Sequence, residues 1–194
     1  MARPFEFDKD VVLEKSMFLF WDKGYSNTSF QEIVDHLELS RSSIYNSFTD
    51  KRILFIESLK YYINKESKSL IENLSILPPN IDSIKKILDN VVFTNLSTKH
   101  PKGCLVVNTS IEFANHDKEI RQIIENNVRE VVLAFTGFII SGQKQGNFNT
   151  KIKADALATA LFHQITALRV TGKIFTNKSF FDNTINTFIH LFIK

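Results

Sequence analysis

The sequence predicts an all-α protein of about nine helices, divided into a small N-terminal domain and a larger C-terminal one. Three observations carry this. Apolar residues recur three and four positions apart along most of the chain, the spacing that lines one face of a helix. No window holds the sustained alternation with turn signals that strands require. Helix-stopping sequences fall between the periodic runs, at Gly24, Pro78-Pro79, His100-Pro101-Lys102-Gly103 and Gly146-Asn147.

Asp8 can cap the first helix, whose stripe is Val12, Leu13, Ser16-Met17, Phe20 and Trp21, with Gly24 as its stop and Tyr25 packing back. From Ser29 to Phe48 the chain reads SFQEIVDHLELSRSSIYNSF, two short helices joined by a tight turn. Thr28 and Gln31 fit a capping box at the start of the first, and Phe30, Ile33, Val34 and Leu37 share one face. Glu38-Leu39 forms the turn, Ser40 caps the second helix, and Ile44 and Phe48, four apart, are its inner side. Asp50 then opens a long helix to about Leu74. Further helices are expected over Asp82–Thr98, Cys104–Asn115, Asp117 to about Lys144, Lys153 or Ala154 to about Phe175, and Ser179–Ile193. The functional boundary is set at residues 50 and 51, giving domains 1–50 and 51–194 with the helix over 51–75 as connector.

The inward pair on the second short helix leaves Arg41, Ser42, Ser43, Tyr45 and Asn46 outward. Short polar side chains and an Arg in the first turn, with a hydroxyl-bearing aromatic one turn on, are what a helix needs to enter the DNA major groove. Its N-terminus also offers free N–H groups and a positive dipole end to phosphates. A helical hairpin in an ordinary all-α domain makes similar patterns, so spacing alone leaves both readings open.

Arg3 to Tyr62 resembles the N-terminal DNA-binding domain of the TetR/AcrR family of bacterial transcriptional repressors. The matching pieces are the arm RPFEFD, the helix VVLEKSMFLFWDKGY, the unit NTSFQEIVDHLELSRSSIYNSF and the run TDKRILFIESLKYY, in that order and spacing. The resemblance implies a helix-turn-helix DNA-binding domain followed by a helical ligand-binding and dimerisation domain. It places Thr28, Ser40, Arg41, Ser42, Ser43, Tyr45, Asn46 and Lys51 at double-stranded operator DNA, with Arg3 on a flexible arm. Two departures stand out. Glu38 occupies a turn position where the family usually has Gly, and Asn46-Ser47 replaces a frequent aromatic-His pair.

Length and composition suit this reading. A chain of 194 residues with 43% hydrophobic side chains is large enough for a sizeable core. The N-terminus MARPFEFDKD lacks the apolar centre of a signal peptide, and the run Val131–Ile140 is too short to span a bilayer, so a cytoplasmic location is expected. A single cysteine precludes a disulfide framework. The net charge is +3, yet the first 60 residues carry eight cations against ten acids. Few phosphates are therefore neutralised per subunit, and a shallow salt dependence of DNA binding is expected.

The last two helices bear on assembly. Ala154, Ala156, Ala158, Ala160 and Ala167 allow close helix approach, and Phe180, Phe181, Phe188, Ile189, Phe192 and Ile193 make the terminal helix apolar over much of its surface. In the family the corresponding pair builds a four-helix bundle, which implies a homodimer suited to a palindromic operator.

A ligand pocket follows from the resemblance. The chain holds 18 phenylalanines; Phe93, Phe113, Phe135 and Phe162 can line space for a small apolar inducer or fill core. Cys104, in GCLVVNT, resembles a segment through which some family members sense electrophiles or oxidants. A helix N-terminus makes a thiol more reactive, and His100, Lys102 and Lys173 are further cations to set beside it; buried free cysteine is the competing reading. His100, Cys104 and His116 show no complete metal-ligand pattern, so neither metal nor cofactor is expected. No nucleophile motif, phosphate loop or acid pair points to an enzyme, and His163 on an Ala-rich helix reads as a core or pocket residue and not as a base. The remaining alternative is a helical ligand-binding adaptor without DNA binding.

Overall fold

The computed structural model describes residues 7–97, 101–113 and 115–193, and no strand occurs among them. Arg3, the arm RPFE and His100 lie outside the described residues. The helices are α1 (Lys9–Lys23), α2 (Phe30–Leu37), α3 (Arg41–Phe48), α4 (Lys51–Tyr62), α5 (Lys68–Ile76), α6 (Ile81–Leu96), α7 (Leu105–Phe113), α8 (Lys118–Lys144), α9 (Ala154–Thr171) and α10 (Lys178–Ile189). A π-helical turn, Ile63–Ser67, joins α4 to α5. Counted as one run, residues 51–76 bring the described helices to the nine expected.

Several caps fall where the sequence puts them. Asp8 accepts from Asp10 N, Asp50 from Ile53 N, Ser40 from Ser43 N and Asp117 from Glu119 N and Ile120 N. Two do not. The capping box at α2 is one residue later than expected: Ser29 Oγ accepts from Glu32 N at 3.2 Å, and Glu32 Oε2 accepts from Ser29 N at 2.7 Å. Thr28 is instead buried, its hydroxyl donating to Gly24 O at 2.6 Å. At α10 the cap is Asn177, which accepts from Ser179 N, so Ser179 lies inside the helix.

The long helix expected from Asp50 is helical throughout, and five-residue π spacing at Ile63–Ser67 replaces the regular α ladder within it, as single π turns do inside α-helices.

By packing, the chain divides into two compact units. The first runs to Glu66 and takes up Leu105–Ile124; the second holds Ser67–Cys104 and everything from Glu125 on. In the first, α1 packs on α2, α4 and α7, and α3 packs on α4. Phe20 and Phe55 meet edge to face at 5.1 Å, and Tyr62 meets Trp21 at 5.0 Å. In the second, α6 packs on α9 and α10 around Ile84, Leu88, Phe135, Phe148, Leu161, Phe181 and Phe192. Burial of one such side chain contributes about 1.5–3 kcal/mol, and this core supplies most of what holds the unit.

One polar group belongs to that second interior. Asn95, 3% exposed, donates through Nδ2 to Leu168 O and accepts at Oδ1 from Gly103 N at 3.0 Å. It ties the end of α6 to the end of α9 and to the residue before Cys104. Gly172 makes this possible, since a Cβ there would sit 2.7 Å from Asn95 Nδ2.

Candidate nucleic-acid interface

The turn before α3 is made by Glu38, whose φ of 56° and ψ of 34° are left-handed. A β-carbon makes that region unfavourable by about 1–2 kcal/mol, so the turn usually given to Gly is held here under strain. Ile44 and Phe48 are buried and fix which side of α3 faces inward. Arg41, Ser42, Tyr45 and Asn46 are exposed, and Ser43 is half-buried. The three serines at the helix start form a cluster: Ser40 Oγ lies 2.9 Å from Ser42 Oγ and 2.8 Å from Ser43 Oγ. These hydroxyls therefore sit together at the exposed N-terminus of α3, the end whose N–H groups suit an anion.

Arg41 and Tyr45 meet a residue that the sequence places on the shared apolar face of α2. The Phe30 and Tyr45 rings are stacked 4.6 Å apart at 16°, and the Arg41 guanidinium carbon lies 5.0 Å from the Phe30 centroid. Of α2's apolar face, Ile33 and Leu37 are buried, whereas Phe30 and Val34 are half-buried. Period alone places Phe30 on that face; the shared stacking depends on how α2 and α3 cross.

Lys51 and Arg52 are drawn away from the free-cation picture. Lys51 Nζ lies 4.1 Å from the Tyr25 centroid, and burial pushes its ammonium below the ordinary lysine value against the raising effect of Glu112 and Glu32. Arg52 donates to both carboxylate oxygens of Asp117 and, at 2.8 Å, to Glu119 Oε2. Those hydrogen bonds raise the guanidinium further, while backbone N–H donation from Ile120 is the main cause that lowers the Asp117 carboxyl. Thr28, being buried, offers no side-chain oxygen at the surface.

Glu112, near the end of α7, is a residue the sequence reading missed. Its carboxylate accepts from Tyr25 N at 3.1 Å and Ser26 N at 2.6 Å, holding the turn between α1 and α2. Nothing in the local pattern signals a pair 87 positions apart.

The residues named for a ligand are spread over both units. Phe135 is fully enclosed in the second unit's core, Phe162 packs half-buried against it, and Phe93 is 73% exposed. Phe113 stacks on Phe55 and meets Tyr25 edge to face in the first unit. Cys104 is buried directly before α7, and Arg169 Nη1 donates to its Sγ at 3.2 Å; the nearby cation is thus Arg169, which sequence reading did not name. Lys173 lies alongside, its Cδ about 3.1 Å from where a Gly103 Cβ would stand, while Lys102 is exposed. An open groove of about 500 Å³ lies between α9 and α10 instead, lined by Gln164, Asn183, Thr184, Thr187, Phe188 and Leu191. Among the described residues, no cluster of three His, Cys, Asp or Glu is placed to hold a metal ion, and no helix is long and apolar enough to cross a membrane.

Residues 12–57 match the profile of the bacterial regulatory proteins of the tetR family, and residues 81–188 match the Tetracyclin repressor-like C-terminal domain. The chain belongs to the TetR family. It is a TetR-family transcription regulator with a DNA-binding helix-turn-helix domain. It is 29% identical over 175 residues to the HTH-type transcriptional regulator YezE of Bacillus subtilis (strain 168), covering 90% of each chain. It is 26% identical to the HTH-type transcriptional repressor ComR of Escherichia coli (strain K12), covering 89% of this chain and 82% of ComR. Among solved structures, a cysteine mutant of the TetR-family regulator CifR, complexed with 26-bp double-strand operator DNA, superposes with a TM-score of 0.85 at 23% identity, covering 97% of this chain and 98% of that one. That likeness is one of fold.

Proposed function

We propose that this TetR-family regulator is a cytoplasmic repressor that binds a palindromic operator as a two-fold dimer and lets go when its C-terminal domain is modified or occupied. The observation that carries the reading is the exposed set Arg41, Ser42, Tyr45 and Asn46 on a helix whose other side is buried. ComR, a relative over most of the chain, is named a repressor, and CifR is seen on operator DNA.

Dimerisation is supported by what α9 and α10 leave uncovered. Phe181, Ile189 and Phe192 are buried in their own chain, so the terminal helix is less apolar outside than its sequence suggests. Val170, Ile174, Phe175, Phe180 and Leu191 nevertheless remain 40–72% exposed, with Ala156 and Ala167 open for close approach. Gln164 Nε2, in the groove between these helices, is buried and lacks a hydrogen-bond partner, which an acceptor from a second copy would supply.

The release signal is assigned to Cys104 or to a small apolar or electrophilic inducer. Arg169 Nη1 reaches the Cys104 sulfur at 3.2 Å, which puts a cation beside the one thiol of the chain. From Cys104 the chain enters α7 at once, and α7 holds the α1–α2 turn through Glu112. A shift of α7 is thereby passed to the start of α2, changing the spacing of the two reading heads. A coupling of about 1–3 kcal/mol changes operator affinity five- to 150-fold.

A gel shift with DNA from around the protein's own promoter, repeated after alkylation with iodoacetamide for wild type and Cys104→Ser, tests this. The expected result is a shifted band that alkylation abolishes only in wild type. No band with any such DNA favours the adaptor reading, and equal release from both proteins removes Cys104 from the mechanism.

A further inference from the structure

We infer that Phe30 is a positioning and specificity-determining residue for DNA readout: its ring, at the first position of α2, preorganises Arg41 and Tyr45 of the neighbouring helix. The inference rests on the proposed entry of α3 into the groove and adds a role for a residue outside that helix. Arg41 and Tyr45 stand four apart, so they share a face of α3, and both are in contact with the same ring.

Three features separate this from ordinary packing. Phe30 is half-buried, as is Val34, while Ile33 and Leu37 are buried; the Phe30 ring is the one of the four whose face meets the Arg41 and Tyr45 side chains. Its two partners are exposed, Tyr45 at 44%, and neither is needed to close the interior. The contacts are also of a directional kind, a near-parallel ring pair and a guanidinium over a ring face.

The consequence concerns entropy and aim. An exposed Arg samples many rotamers, and fixing them at binding opposes affinity. A side chain already laid against an aromatic face loses less on meeting a base edge, and the loss falls on the specific complex, because only there must one rotamer be held. Removing the ring should therefore reduce discrimination between sequences more than it reduces attraction to DNA.

The probe is a duplex selected by the wild-type protein from a random-sequence pool, compared with an unrelated duplex of equal length. Phe30→Leu keeps apolar volume without a face to stack on; Phe30→Tyr keeps the face. The expected result is about a tenfold weaker affinity of Phe30→Leu for the selected duplex. Affinity for the unrelated duplex and the thermal midpoint should stay near wild type, and Phe30→Tyr should behave as wild type. Combining Phe30→Leu with Tyr45→Ala should cost less than the product of the single losses, since one stack is removed twice. If Arg41→Ala and Tyr45→Ala weaken binding but Phe30→Leu does not, the positioning role is overturned and the α3 reading stands. Equal loss on both duplexes reduces Phe30 to a structural residue. Failure to select any duplex, or unchanged binding by Arg41→Ala and Tyr45→Ala, overturns the α3 reading and the positioning role together.

Discussion

At Glu38 a carboxylate side chain occupies a left-handed position that a glycine adopts without steric penalty. Its ion pair with Lys15, 3.7 Å apart and exposed, offsets little of that strain. Glu38→Gly is expected to raise stability by roughly 0.5–1 kcal/mol, read as a thermal midpoint about 1–4 °C higher; a lower midpoint would show that the turn is not strained. Thr49, at φ 61° and ψ −52°, is a second such place, where Asp50 N donates to Phe48 O across a three-residue turn. Glu32 gives a pH signature. Its side-chain bond with Lys23, and then the Ser29 backbone N–H, hold the carboxyl at about 2 instead of 4.5. The folded-state value is depressed, so this contribution is present above about pH 4.5 and is lost as pH falls towards 2. The stability difference between wild type and Glu32→Gln should shrink across that window. A difference independent of pH would contradict it.

Among the elements, α2 and α3 were the most legible, because caps, turn and periodicity lie within a few residues of one another. Even there the capping box shifted by one residue, since Thr28 and Ser29 are chemically equivalent at sequence level and only the backbone decides which enters the cap. Period places Phe30 on the apolar face of α2, which describes a helix face and says nothing of which neighbour meets its end. The ties made by Glu112 and Arg52 could not be read at all, for their partners lie 65 to 87 positions away. Cys104 was legible as a helix-start thiol, but its Arg169 neighbour comes from a helix packed beside it. The α7 tie has a direct check. Glu112→Ala leaves two backbone N–H groups without their acceptor, and amide exchange at Tyr25 and Ser26 should speed up while that of Ile44 and Phe48 stays protected. Unchanged protection at Tyr25 and Ser26 would mean that α7 does not hold this turn.

For the molecule as a whole, the cations already engaged among the described residues near α3 bear on the character of binding. Lys51 lies on Tyr25, Arg52 is paired with two acids, and Lys23 is paired with Glu32. On the proposed reading, operator affinity should fall only gently with salt, with a logarithmic slope of about −2 to −4 for the proposed dimer, and a slope near −10 would contradict it. Sequence recognition would then come mainly from side chains at base edges, which puts the weight of the proposal on α3. The most direct test is a titration of a selected duplex with wild type and Arg41→Ala, followed by fluorescence anisotropy at fixed salt. Saturation at an even number of protomers per duplex is predicted, with Arg41→Ala about ten- to a hundredfold weaker on that duplex and unchanged on an unrelated one. Saturation by one protomer, or equal affinity of the two proteins for the selected duplex, would contradict the account.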